Sequence, residues 1–94
     1  YSFAIWMRIP YDWQYQKELP QFSDINEKNI KVGNFEFEFT DTLGDVNNFA
    51  YKLCPNLEGN MLFFPARLRH CVYPFYDIDD PRISIAGNLS YLPN

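Results

Sequence analysis

Residues 59–88 read GNMLFFPARLRHCVYPFYDIDDPRISIAGN, and this segment decides the fold class. Near its start, a short apolar run at residues 61–64 lies between a glycine turn and a proline, which is typical of a strand buried on both faces. Near its end, a strict alternation begins at Arg82 and places Arg82 and Ser84 on the same side of a second strand. The segment therefore predicts β structure.

Period-two patterns predict further strands along the rest of the chain. They cover residues 1–9, 35–40 and 49–54, while residues 67–74 are expected to begin as a loop and become extended. The sequence shows neither a sustained helical period nor an internal repeat. We therefore expect an all-β chain, and specifically a partial double-stranded β-helix of the jelly-roll or cupin-like kind, with antiparallel strands and one long loop.

The alternation also predicts which side of each strand is buried. The odd positions of residues 1–9 are apolar, so we expect that side of the first strand to face the core. In residues 35–40 three phenylalanines share one side, while Glu36 and Glu38 share the other. Two carboxylates on one face can serve acid–base chemistry, but charged side chains on a half-buried strand usually face water. We expect both glutamates to be solvated.

The long loop is predicted at residues 11–34, where charged residues, proline and asparagine occur without any period. Such a connection is either a solvated loop, here with a helical turn near residues 24–28, or a lid over a binding site. Trp13 and Tyr15 are the lid or pocket candidates in this loop. Asn88, on the last predicted strand, is a further pocket candidate.

Composition limits the classes of function. Ninety-four residues, 47% of them hydrophobic, are enough for one domain with one core. The formal net charge of −4 and the scattered basic residues argue against a nucleic-acid partner. The sequence has no apolar run of membrane-spanning length and no signal-peptide pattern, so we expect a cytoplasmic protein without a membrane partner. Cys54 and Cys71 lack zinc or redox spacing and are expected to be reduced thiols.

His70, the only histidine, and Arg82, twelve residues later, are the residues best suited to chemistry. Taken alone, a single histidine in a β protein is more often structural than metal-binding. A tetrahedral zinc site needs four ligands, and a non-haem iron site needs two histidines and a carboxylate. Arg82 has a structural alternative as well, namely an ion pair with Asp77, Asp79 or Asp80 at the entrance of its strand.

The order of residues in 59–88 resembles that of the Fe(II)/2-oxoglutarate-dependent oxygenases, in particular oxygenases encoded by marine cyanophages and marine bacteria. Their motif runs approximately G-x-x-x-x-F-P-x-x-x-x-H-x-V-x-P, followed by R-I-S-x-x-x-N. The matching positions are Gly59, Phe64, Pro65, His70, Val72, Pro74, Arg82, Ile83, Ser84 and Asn88. The segments IWMRIPYDW and GNFEFEFTD also look like that group, so the resemblance extends over nearly the whole chain.

The resemblance implies an oxidoreductase, a dioxygenase that uses Fe(II) and 2-oxoglutarate to hydroxylate a small molecule or a side chain, with release of succinate and CO2. It implies that His70 is the second histidine of the iron triad, with no catalytic residue beyond this ligand. It also implies that Arg82 and Ser84 bind the distal carboxylate of 2-oxoglutarate. A guanidinium offers a rigid donor fork that matches a carboxylate, and a hydroxyl can supplement it.

One element of the family pattern, the first metal-binding motif H-x-D or H-x-E, does not occur in this sequence. We therefore expect residues 1–94 to be the C-terminal part of a jelly-roll domain truncated at its N-terminus, inactive as an isolated fragment. Its uncovered apolar surface should make it self-associate. A phage-encoded protein would act in the host cytoplasm. The alternatives are a non-catalytic viral or carbohydrate-binding jelly-roll module and a cupin-type metal isomerase.

Overall fold

The computed structural model describes residues 1–90, which form two three-stranded antiparallel sheets. Sheet A has the strand order β4-β1-β6, and sheet B has the order β3-β2-β5. The strands are β1 (Ser2–Arg8), β2 (Phe35–Thr40), β3 (Val46–Tyr51), β4 (Met61–Phe64), β5 (Arg69–Val72) and β6 (Ile83–Asn88). The prediction of an all-β chain is confirmed.

Sheet B follows the alternation that the sequence predicts on its inner side at two of the three phenylalanines of β2, since Phe39 is 42% exposed. Phe35 and Phe37 of the central strand β2 are buried, and Phe37 lies between Phe49 of β3 and His70 of β5. On the outer side the prediction is wrong for Glu36, which is only 4% exposed and lies 3.1 Å from Lys31 Nζ. The lysine comes from the long loop, which packs over this part of the sheet.

Strand β1 buries the side opposite to the one predicted. Ser2, Ala4 and Trp6 are buried, whereas Tyr1 and Met7 are exposed. The pairing with β6 skips one residue between Trp6 and Arg8, which is a β-bulge. Because the extra residue reverses the alternation, the buried position after the bulge is odd, and Ile9 is 1% exposed.

Two other strands differ from their predicted form. Strand β4 lies at an edge of sheet A, and only Phe64 of its four residues is buried, so the prediction of burial on both faces is wrong. Strand β3 begins at Val46, three residues earlier than predicted, and ends at Tyr51. An edge strand with one side toward the core needs only one buried side chain in two.

The long loop contains short helical elements: α1 (Trp13–Gln16) and 3-10 turns at Pro20–Phe22 and Glu27–Asn29. The last of these turns confirms the predicted helical turn near residues 24–28. The Gln16 side chain fixes the loop, because its amide donates to Tyr76 O at 2.8 Å and accepts from Tyr76 N at 2.9 Å. None of the helices in residues 1–90 is long and apolar enough to cross a membrane.

Gly33 closes the loop at the start of sheet B. Its φ is +70°, a conformation that glycine adopts readily, and a Cβ here would lie 2.6 Å from the Tyr11 ring. The Tyr11 hydroxyl donates to Gly33 O at 2.5 Å. Gly33 N in turn donates to Pro74 O at 2.8 Å. The loop is thus bonded at this point both to the segment after β1 and to the segment after β5.

The core lies between the two sheets near Tyr11 and Gly33, whose hydrogen bonds join the sheets at what we call the closed end. It consists of Trp6, Ile9, Tyr11, Phe35, Phe37, Leu53 and Phe64. The chain is flat, with extents of 55 × 36 × 17 Å, and its radius of gyration of 15.3 Å exceeds the value of roughly 12 Å expected for a compact domain of this length. The two sheets therefore form an open sandwich whose surfaces are only partly covered.

Candidate functional site

A cleft of about 440 Å³ separates the inner faces of the two sheets. Such a volume is within the range of small-molecule sites. Sheet A contributes small or polar side chains from β1 and β6, and sheet B contributes Phe35, His70 and Val72. Trp6 and Phe64 complete the apolar part of the lining.

The room in the cleft comes from paired small residues on sheet A. Ala4 pairs with Ala86, and Ser2 pairs with Asn88 in the antiparallel register. The Ser2 hydroxyl donates to Asn88 Oδ1 at 2.5 Å, which fixes the Asn88 side chain. Small side chains that are paired across a sheet leave space above it. In the sequence, the signal for this cleft is the small residue at every second position, at Ser2, Ala4, Ser84 and Ala86, and the motif analysis did not use it.

His70 lies on β5 opposite Phe37, and its ring lies against three aromatic rings, of which that of Phe37 is the most distant at 6.5 Å. The ring centroids are 5.0 Å from Phe64 and 5.8 Å from Phe35. Its Nδ1 is 3.1 Å from Leu68 O. A carbonyl oxygen only accepts hydrogen bonds, so in a neutral imidazole this contact places the proton on Nδ1 and leaves the lone pair on Nε2. A backbone carbonyl bonded to one imidazole nitrogen is also the usual way to orient a metal-binding histidine.

Ser84 and Asn88 line the same cleft as His70. Both side chains belong to β6, whereas His70 belongs to the facing sheet. The structure therefore brings together three of the residues that the sequence pattern marked. Among the described residues that line the cleft, His70 is the one with a titratable side chain. The arrangement offers one imidazole, one hydroxyl and one amide to a ligand.

Arg82 is placed differently from the other marked residues. It precedes the first residue of β6, and it does not line the cleft. Its Nη1 donates to the Tyr11 hydroxyl at 2.6 Å and to Tyr73 O at 3.2 Å. Its guanidinium also lies against the rings of Tyr11 and Phe75, at 5.7 Å and 5.2 Å from their centroids. The role of Arg82 as a carboxylate anchor stays a prediction.

The alternative prediction for Arg82, an ion pair with Asp77, Asp79 or Asp80, is wrong, because Arg82 bonds to Tyr11 and Tyr73. Asp80 pairs with Arg8 instead, at 3.2 Å. Arg82 has tyrosine and backbone partners, which lie in the segments after β1 and β5. The arginine therefore connects the two sheets at the closed end of the sandwich.

The two aromatic residues proposed for a lid lie away from the cleft. Trp13 is buried at the start of α1, with Lys17 Nζ and Lys52 Nζ at 4.8 and 4.3 Å from its ring. Tyr15 is 73% exposed. Neither contributes to the lining, so within the described part of the chain the long loop does not cover this cleft.

The donor set determines which metal the site fits. In residues 1–90 no group of three or more His, Cys, Asp or Glu side chains is placed to hold a metal ion. His70 fits one position of a non-haem iron site, which needs a second histidine and a carboxylate. Cys54 and Cys71 are free thiols, but neither lines the cleft. The described residues thus fit part of an iron centre and not a whole one.

Comparison with known proteins leaves the family open. No family model matches the sequence, and no curated protein or solved structure shows significant similarity to it. The resemblance of residues 59–88 to the 2-oxoglutarate oxygenases therefore rests on the motif positions alone. What the structure adds is the location of those positions in the fold.

Proposed function

We propose that this chain is the C-terminal part of a jelly-roll domain in an Fe(II)/2-oxoglutarate-dependent dioxygenase. One observation carries the proposal: His70, Ser84 and Asn88, which are separate positions of one motif, line one cleft from two facing sheets. Facing antiparallel sheets with a ligand cleft between them are also what a partial double-stranded β-helix requires.

In the proposed enzyme His70 would hold Fe(II) through Nε2, and the Leu68 carbonyl would keep the imidazole in the tautomer that this requires. When bound, the iron with dioxygen and 2-oxoglutarate supplies the hydroxylation of a substrate C–H bond, with release of succinate and CO2. Such a site would also need a second histidine, whereas this sequence has a single one, and a carboxylate. Phe35 and Phe64 exclude water from one side of the imidazole.

The co-substrate carboxylate has two candidate partners in the proposal. The Ser84 hydroxyl lies in the cleft as the structure stands. Arg82 uses one nitrogen, Nη1, for its contacts with Tyr11 and Tyr73. A guanidinium has five N–H donors, so Arg82 keeps further N–H donors that could bind a carboxylate. For this its side chain would have to turn into the cleft beside Ser84.

A non-catalytic jelly-roll module, viral or carbohydrate-binding, is the second candidate. It is favoured by the position of Arg82, whose contacts with Tyr11, Tyr73 and Phe75 are those of a structural residue. In that case His70 is an ordinary surface residue packed on Phe64. The two candidates differ in one measurable property, which is iron-dependent turnover of 2-oxoglutarate.

The test measures succinate release from 2-oxoglutarate by the protein together with any residues encoded before Tyr1. The dioxygenase should contain an H-x-D or H-x-E motif in those residues and should require Fe(II). His70→Ala should abolish turnover, and Arg82→Ala should chiefly raise the KM for 2-oxoglutarate. Arg67→Ala is the matched control, because Arg67 is exposed and does not line the cleft. Turnover that survives His70→Ala, or the absence of the motif, would reject the assignment.

A further inference from the structure

The outer face of sheet A carries large apolar side chains on all three strands. Six of them are about half exposed, with exposed fractions between 46% and 64%: Tyr1, Met61, Phe63, Ile83, Ile85 and Leu89. No segment of the described residues 1–90 covers them. We call these six residues, with Phe3 and Ile5 between them, the outer face of sheet A.

The strand register shows that this is one continuous surface. Ile5 of β1 lies opposite Met61 on one side and Ile85 on the other, and Phe3 lies opposite Phe63. The Tyr1 ring stacks on Phe63 with centroids 5.0 Å apart. On the remaining side of Phe3 the paired residue is Gly87, and the Phe3 ring covers it, since a Cβ there would lie 2.9 Å from the ring.

The size of this surface matches that of a protein interface. A large apolar residue exposes roughly 200 Å² when it is fully accessible, so six that are half exposed present about 650 Å² together. Phe3 and Ile5 add to this area. Two such faces in contact would bury about 1,300–1,500 Å², which is the size of a standard specific interface. A patch of this extent is larger than a soluble monomer usually exposes.

We propose that the outer face of sheet A binds a second copy of this chain, in a twofold symmetric dimer with the two sheets packed face to face. The surface is apolar except at one end, where Arg8 lies opposite Ile83 and is paired with Asp80, so most of it is complementary to itself and not to a charged partner. Packed sheets lie about 10 Å apart, a distance that interdigitated Ile, Phe and Met side chains fill.

The distribution of charge agrees with this arrangement. The chain has a formal net charge of −4, which would disfavour association if the charges met at the interface. Arg8, which lies opposite Ile83 at one end of this face, pairs with Asp80 at 3.2 Å. The rest of the interface is neutral, so association should depend only weakly on salt. This inference does not rest on the proposed dioxygenase function.

Sedimentation equilibrium of the 94-residue chain tests the proposal. The wild-type chain should sediment as a dimer, with twice the chain mass of 11.2 kDa. Ile85→Lys places a charge at the centre of the interface in both copies and should weaken dimerisation by roughly 100-fold or more. Because Ile85 is 51% exposed, the variant should keep its fold, which far-UV circular dichroism checks.

Leu43→Lys is the matched control, since Leu43 is 86% exposed and lies in the turn between β2 and β3, on the other sheet. It should leave the dimer unchanged. A wild-type chain that is monomeric at 100 μM or above would overturn the proposal and would point to another occupant of this face. So would a dimer that survives Ile85→Lys, or an open-ended assembly larger than a dimer, which would indicate pairing through strand edges.

Discussion

Sheets A and B differ in the side chains that they turn toward the interior. Sheet B turns Phe35 and Phe37 toward the interior and carries Glu36 and Glu38 on its outer side. Sheet A turns Trp6 and Phe64 into the core, but many of its other inner side chains are small or polar, and six large apolar residues lie half exposed on its outside. Both strand patterns alternate equally well, so alternation alone does not distinguish them.

The cleft exists because β1 and β6 of sheet A turn small side chains toward sheet B. Small inner side chains on sheet A leave a volume that sheet B cannot fill, and His70 borders that volume. Because these strands turn small side chains inward, their large apolar side chains lie on the outer face of sheet A, in contact with water. Exposed apolar area costs roughly 25 cal/mol per Å² relative to burial, so a sequence with this pattern gains stability when another surface covers it.

The largest expected effect is from removing an inner aromatic residue of sheet B. Phe35 is 3% exposed and contacts the rings of Trp6, Phe37 and Phe64. Phe35→Ala should lower the free energy of unfolding by about 3–5 kcal/mol, because it removes the contacts and leaves a cavity. Urea denaturation followed by tryptophan fluorescence measures this value.

The same substitution on sheet A provides the contrast. Phe63 is 53% exposed on the outer face, so Phe63→Ala should cost under about 1 kcal/mol in the monomer, measured at a concentration too low for self-association. Equal losses at the two positions would show that the outer face of sheet A is already buried, and would contradict the difference between the sheets.

The next effect concerns the bonds that hold the two sheets together. Tyr11, after β1, donates to Gly33 O before β2 and accepts from Arg82 Nη1 before β6. Tyr11→Phe removes both hydrogen bonds from a buried site and should cost about 2 kcal/mol in urea denaturation at pH 7. Tyr15→Phe is the control, because Tyr15 is 73% exposed, and it should be neutral. A neutral Tyr11→Phe would mean that packing alone closes this end of the sandwich.

A smaller effect is expected on the outer side of sheet B. Glu36 is nearly buried beside Lys31, whereas Glu38 and its partner Arg69 are well exposed. Glu36→Gln should cost about 1 kcal/mol, since a charge-assisted bond is weakened at a site that water hardly reaches. Glu38→Gln should change stability by less than about 0.5 kcal/mol. If thermal denaturation ranks the two in the opposite order, the loop does not shield Glu36.

The strands of both sheets could be predicted from period-two patterns, because the alternation of β1, β2 and β6 is local. The inner face of β1 could not, since the bulge between Trp6 and Arg8 reverses the alternation and has no sequence signal of its own. Glu36 was predicted to be solvated for a similar reason. Its burial depends on Lys31, which reaches the strand from the long loop.

The candidate site was predictable in part. The resemblance marked His70, Ser84 and Asn88, and the fold places all three in one cleft. The alternation that orients Ser84 does not extend to Arg82, because β6 begins one residue later, at Ile83. The contacts of Arg82 with Tyr11 and Tyr73 join residues 71 and 9 positions apart in the sequence, and no local pattern predicts them.

The smallest expected effect is a pH dependence of the bonds between the sheets. Burial raises the pKa of the Tyr11 phenol above its ordinary value of 10.0, although the nearby Arg82 guanidinium acts in the opposite direction. The folded protein therefore holds this proton more tightly than the unfolded chain. The resulting stability is fully present below pH 10 and is lost as the pH rises through the folded pKa. In urea denaturation, the stability difference between wild type and Tyr11→Phe should be constant from pH 7 to 9 and should shrink above pH 10. A difference that grows above pH 10 would mean that the ionised phenolate is stabilised by Arg82, and that the guanidinium outweighs burial at this junction between the sheets.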